Sequence, residues 1–109
     1  MAVKVERAGD GWTATHAAGG RTLMLTMEFA TAPVDGAEVV VERTKAASPF
    51  FAQSRIVAEA MQGVGQAFAE ARVQRWVKRI VLRDSDAPAP AQALYLACAI
   101  ARAAVAADG

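Results

Sequence analysis

Four arginines spaced three or four residues apart, Arg72, Arg75, Arg79 and Arg83, with Trp76 and Lys78 between them, are the feature of this sequence best suited to gripping a ligand. On a helix the four fall within roughly 80° of arc. A guanidinium row beside an indole matches phosphates or carboxylates, because arginine donates paired hydrogen bonds to both. The plainer reading is the solvated side of an amphipathic helix whose other side is core. The imbalance of charge argues for a partner: few acids beyond Glu59 and Glu70 offset the basic residues nearby, Arg55 included. Like charges one turn apart repel and call for compensation.

Histidine is the side chain best matched to acid–base work near neutrality, and His16 is the only one here. It follows Trp12 and Ala14 on one face of a strand, and no serine or cysteine stands near it in sequence. Cys98, the single cysteine, sits among alanines and reads as a small core residue. A reactive thiol needs an accessible, electropositive setting. With Tyr95, these two form a candidate lining for a pocket between a sheet and helices. Asp84 and Asp86 have the chemistry of hard-cation ligands, but Asp-Ser-Asp ahead of a proline-rich stretch reads first as a turn and cap. Gly63-Val64-Gly65 is a fragment of a glycine-rich loop with no strand before it and no third glycine or lysine to complete it. Neither a cofactor nor a metal is expected.

Each of these side chains depends on the element beneath it. Residues 1–43 alternate with period two. Val3 and Val5 oppose Lys4 and Glu6, and Ala8-Gly9-Asp10-Gly11 supplies the positive φ of a tight turn. Trp12, Ala14 and His16 share the next strand's face, and Ala17-Ala18-Gly19-Gly20 turns the chain again. Leu23, Leu25, Met27 and Phe29 then oppose Thr22, Met24, Thr26 and Glu28. After Pro33-Val34-Asp35-Gly36, Val39 and Val41 stand against Glu38, Val40 and Glu42. Four strands with short connections imply an antiparallel meander with one buried face.

Helical spacing is expected from residue 48 to 83, opening at Ser48-Pro49, where serine caps and proline fits the first turn. Val57, Met61, Val64 and Phe68 make one stripe; Val73, Trp76, Val77, Ile80 and Val81 make another, rotated from the first. Either the helix breaks near residues 69–72, or one long helix buries different faces against different partners. Gly63 and Gly65 each weaken it by roughly 1 kcal/mol relative to alanine. A strand over 72–83 is the rival, favoured by Val, Ile and Trp. Strict alternation fails there, since Val73, Arg75, Val77, Arg79 and Val81 would share one face, so the helix is preferred. After a linker at 84–90, a last helix over 89–107 is apolar almost all round, with Tyr95 and Arg102 as its wet edge. Such a helix is buried on more than one side, between the sheet and either the other helix or a second protomer.

The expected fold is therefore α+β, one domain over residues 1–109: a four-stranded antiparallel meander and two or three helices packed on one face. A chain of 109 residues, 54% apolar and 21% charged, carries side chains enough for a core. Much of that apolar content is alanine, which buries little area per residue, so self-association is expected to supply the rest. A net charge of +1 gives no global field toward nucleic acid or an anionic membrane. The Ala87–Ala107 stretch holds too many alanines, two prolines, Gln92 and Arg102 to read as a membrane span. One cysteine, and a start without the apolar run of a secretory signal, fit a reducing, cytoplasmic setting.

Three classes of function follow. The first is a non-enzymatic protein-interaction module whose expected partner is another protein or a second copy in a homodimer: an adaptor, an assembly component, or a small inhibitor such as a phage-encoded counter-defence protein. The second is a nucleic-acid binder using the arginine stripe, and the third a small enzyme or ligand binder built on His16, Tyr95 or Cys98.

Overall fold

A computed structural model describes residues 3–18, 21–43, 53–84 and 91–108. In chain order they form β1 (Lys4–Ala8), β2 (Gly11–Ala18), β3 (Arg21–Ala30), β4 (Glu38–Arg43), α1 (Gln53–Ala71), β5 (Trp76–Asp84) and α2 (Gln92–Asp108). The α+β reading holds at that level, but the sheet differs from a four-stranded meander. It has five strands in the order β1-β2-β3-β5-β4 and is mixed: β4 pairs parallel with β5, and every other pairing is antiparallel.

The first three strands follow the alternation of the sequence. Ala8 pairs with Gly11 across a two-residue turn in which Gly9 takes φ +57°, the positive value such a hairpin requires. Beyond β3 the meander ends. The chain turns through Val34–Gly36, where the Gly36 N–H donates to the Val34 carbonyl at 2.9 Å. It then lays β4 down one strand-width away from β3, leaving a slot between them. The helix α1 makes the crossover that parallel pairing demands, and β5 fills the slot.

The helix expected over 48–83 is thereby corrected. It is helical from Gln53 to Ala71 and extended from Trp76 to Asp84, the break falling where the hydrophobic stripe rotates. Ser48-Pro49 as a helix start, and Ala89 as the start of the last helix, lie outside the described residues. Two features disguised β5. It is a central strand with Val77, Ile80, Val81 and Leu82 all buried, Val81 on the face away from the helices, so its apolar run breaks the alternation of a half-buried strand. It also carries a bulge: Glu28 pairs with Arg79 and Phe29 with Val77, so Lys78 is an extra residue. One inserted residue reverses the alternation. Val77, Ile80 and Leu82 consequently share the core side, while Arg79, Val81 and Arg83 share the other.

Both helices cover the same face of the sheet. On α1, Ile56, Ala60, Gly63, Val64, Ala67 and Phe68 are buried, a stripe of helical period. It differs from the stripe read from sequence at Met61, which is 42% exposed. Gly63 is where α1 and α2 meet most closely. A Cβ there would run into the Leu94 carbonyl oxygen and lie 3.1 Å from the Cys98 nitrogen. On α2, Ala93, Leu96, Ala97, Cys98, Ile100 and Ala101 are buried, because that helix packs on α1 and also on β1, β2 and β3. The continuous apolarity of the last helix thus has an intrachain explanation. The core joins these residues to Ala14, Leu23, Leu25, Met27, Ile80 and Leu82, with Phe29 and Phe68 meeting edge to face at 5.3 Å between centroids. Among the described residues, no helix is long and apolar enough to cross a membrane.

Candidate functional site

The face of the sheet turned away from the helices carries three cross-strand rows. The first runs Lys4, Thr15, Met24, Arg83 and Glu42; the second Glu6, Thr13, Thr26, Val81 and Val40; the third Gly11, Glu28, Arg79 and Glu38. The middle row is largely neutral: the Thr13 and Thr26 hydroxyls hydrogen-bond at 2.8 Å, and Val81 is only 8% exposed. The rows on either side are charged and internally matched. Arg83 donates from Nε to the Glu42 carboxylate and lies 3.8 Å from the Met24 sulfur. Arg79 reaches Glu28 at 3.7 Å, and its buried Nε has no acceptor among the described residues. This is a flat surface of alternating charge rather than a basic patch.

The arginine stripe is dispersed by this arrangement. Arg79 and Arg83 lie on the open face, each beside a carboxylate from a neighbouring strand. Trp76 begins β5 opposite Ala30, and Lys78 projects at the bulge. Arg72 is the left-handed residue that ends α1, with φ 56°. The Val73 N–H donates to the Phe68 carbonyl and the Arg72 N–H to that of Ala69, the two bonds of a Schellman cap. Arg75 lies in the connection to β5, its guanidinium donating to the Gln74 carbonyl at 3.2 Å.

His16, Tyr95 and Cys98 are not brought together as one pocket. His16 is 6% exposed, and the buried Gln92 at the start of α2 clamps it. The Gln92 side-chain nitrogen lies 3.0 Å from the His16 Nδ1 and 3.2 Å from the His16 carbonyl oxygen. The pair ties the end of β2 to the first turn of α2, the place of a satisfied core histidine. Cys98 is 8% exposed within α2, and Tyr95 is 51% exposed on its outer side. Among the described residues, no three His, Cys, Asp or Glu side chains gather as metal ligands; Asp86 lies outside them.

Two concave sites were not evident from sequence. Arg7, Asp10, Trp12, Phe29, Thr31 and Arg75 line a cleft of about 180 Å³ at the first hairpin. There the Arg7 guanidinium stacks 5.1 Å from the centre of the Trp12 indole, and its Nε donates to the Gly9 carbonyl. The signal for that contact was the turn itself: a two-residue loop between Ala8 and Gly11 sets Arg7 directly opposite Trp12. A second cleft, of about 300 Å³, lies where α1 and α2 end, lined by Ala67, Glu70, Ala71, Arg102, Val105 and Ala106. Arg102 donates to Glu70 at 3.1 Å across it, and that hydrogen bond holds the guanidinium pKa above its ordinary value. A pair of the chain's own side chains lies at each cleft, Arg7 with Trp12 and Arg102 with Glu70.

Comparison with known proteins yields no match: no family model, no curated protein and no solved structure is significantly similar to this chain.

Proposed function

We propose that the chain is a protein-binding module that acts through the surfaces of its sheet, toward another protein or a second copy of itself. The observation that supports this reading most directly is the one-sided covering of the sheet: both helices pack on one face and leave the other as a flat field of paired charges around a neutral row. Such a field is suited to a protein surface, which offers both signs of charge in fixed positions. It is poorly suited to a phosphate backbone, because Arg79 and Arg83 are already offset by Glu28 and Glu42. Electrostatic matching of this kind selects the right partner and register more than it adds affinity.

The test is a paired capture from cell extract. Wild type is compared with Thr13→Arg/Thr26→Glu, which puts two mutually opposite charges in the neutral row, and with Gln66→Arg on the exposed side of α1. Thermal melts should remain within a few degrees of wild type for both variants. A protein retained by wild type and Gln66→Arg, and lost from the double variant, is the expected result. Identical capture by all three would reject the open face as the working surface.

A further inference from the structure

The sheet ends in two edge strands, β1 and β4, whose outer backbone groups pair with no other strand among the described residues. From their charge patterns we infer that β1 is a self-pairing edge: two copies join antiparallel through β1, with Val5 on the two-fold axis. This rests on the reading of the chain as a sheet-surface binding module and names its partner as a second copy.

A two-fold axis perpendicular to the sheet keeps both open faces on the same side, so only residues of the same facing can lie opposite one another. Each residue of β1 can sit on such an axis, so five registers bring Lys4–Ala8 together with itself. Centred on Ala8, only the hairpin ends meet, and centred on Arg7, the two guanidinium groups meet. Centred on Glu6, the two Glu6 carboxylates meet head-on. Centred on Lys4, the two ammonium groups meet. Centred on Val5, Lys4 lies across from Glu6 of the second copy, Glu6 across from Lys4 of the second copy, and the two Val5 side chains meet on the core side. Opposite charges directly across a strand pair stabilise it, and like charges destabilise it.

Within one chain Lys4 and Glu6 already lie side by side on the open face, 3.0 Å apart, with side chains 75% and 61% exposed. The Val5 register completes that pair into a checkerboard in which each charge has opposite neighbours along and across the strands. Val3 and Val5 are only half-buried against the core at this edge, so pairing covers apolar surface too.

The other edge behaves in the opposite way. On β4, self-pairing centred on Val40 sets Glu38 against Glu42 of the second copy twice over, bringing four carboxylates into two like-charged pairs. Carboxylates so placed keep an edge from pairing with its own kind. No register of β4 sets opposite charges across the pair, as the Val5 register of β1 does, and a closed dimer through β1 leaves β4 outermost on both sides.

The experiment is sedimentation of the full chain over a concentration series, for wild type, Lys4→Glu, Glu6→Lys and the charge-swapped double variant. Wild type is expected to dimerise reversibly. Each single reversal puts like charges in both cross pairs and should weaken the dimer by about tenfold or more. The double swap should restore it. The two single variants, mixed, should form a heterodimer, because the acidic edge of one then faces the basic edge of the other. Melting curves establish that each variant is folded, and the mixing arm reads out even if one alone is less stable. A wild type that stays monomeric overturns the inference. A dimer indifferent to both reversals also overturns it, yet leaves the sheet-surface reading standing on the capture comparison. Growth into open polymers would point to β1 meeting β4 head to tail and would overturn the closed two-fold.

Discussion

Leu25 and Thr26 are neighbours on β3 with opposite fates. Leu25 is completely buried beneath the helices, and Thr26 faces outward to share a hydrogen bond with Thr13. The contrast extends across the whole sheet. The covered face holds Ala14, Leu23, Leu25, Met27, Ile80 and Leu82, each with no exposure at all. Removing such a side chain from water contributes about 1.5–3 kcal/mol. The open face holds ion pairs between half-exposed side chains, which contribute little because water screens both partners. One face carries the buried core, and the other is covered by neither helix. That difference is testable by substitution on either side.

The largest effect is expected where the covering layer is tightest. Gly63→Ala drives a methyl group into the Leu94 carbonyl at the α1–α2 crossing and should cost about 2–3 kcal/mol, lowering Tm by roughly 10 °C. Two residues on, a Cβ at Gly65 meets nothing within 4 Å. Gly65→Ala should therefore stabilise the chain by up to about 1 kcal/mol through helix propensity alone. Equal responses at the two glycines in thermal denaturation would mean that the helices are not in close contact at Gly63.

An intermediate loss is expected at the one polar contact described within the covered layer. Gln92→Leu removes the donor to the His16 ring and carbonyl, leaving buried acceptors behind, at a cost of about 1–3 kcal/mol by urea unfolding. A neutral result would show that the histidine finds another partner. The smallest effect belongs to the open face. Glu42→Gln breaks the pair with Arg83, whose side chains are about half exposed. It should change stability by less than about 1 kcal/mol, and by less still in high salt. A loss as large as that of Gln92→Leu would erase the difference between the two faces.

Much of the covered face was legible in the sequence because its signals are local. The alternation through Leu23, Leu25, Met27 and Phe29, and the glycine turn at Gly9, depend on neighbours a few residues away. So does the all-round apolarity of the last helix. The strand β5 was misread because its evidence is not local. Burial of Val81 on the face away from the helices leaves it apolar without alternation, and the bulge at Lys78 shifts its phase partway along. The helical placement of the arginines was overturned with it. A spacing of three or four residues puts side chains on one helical face, but in a bulged strand it scatters them among a cap, a connection, a bulge and an open face.

The sequence alone determined that this chain builds an α+β core from an amphipathic hairpin region, an amphipathic helix and an apolar last helix, since periodicity, turn chemistry and composition act over short distances. Only the tertiary structure decided which strands are neighbours, that both helices cover one side, that His16 is closed by Gln92, and that Arg79 and Arg83 meet carboxylates. Those outcomes join residues far apart in the chain. Their energies arise from burial and charge pairing that exist only once the sheet has closed around β5.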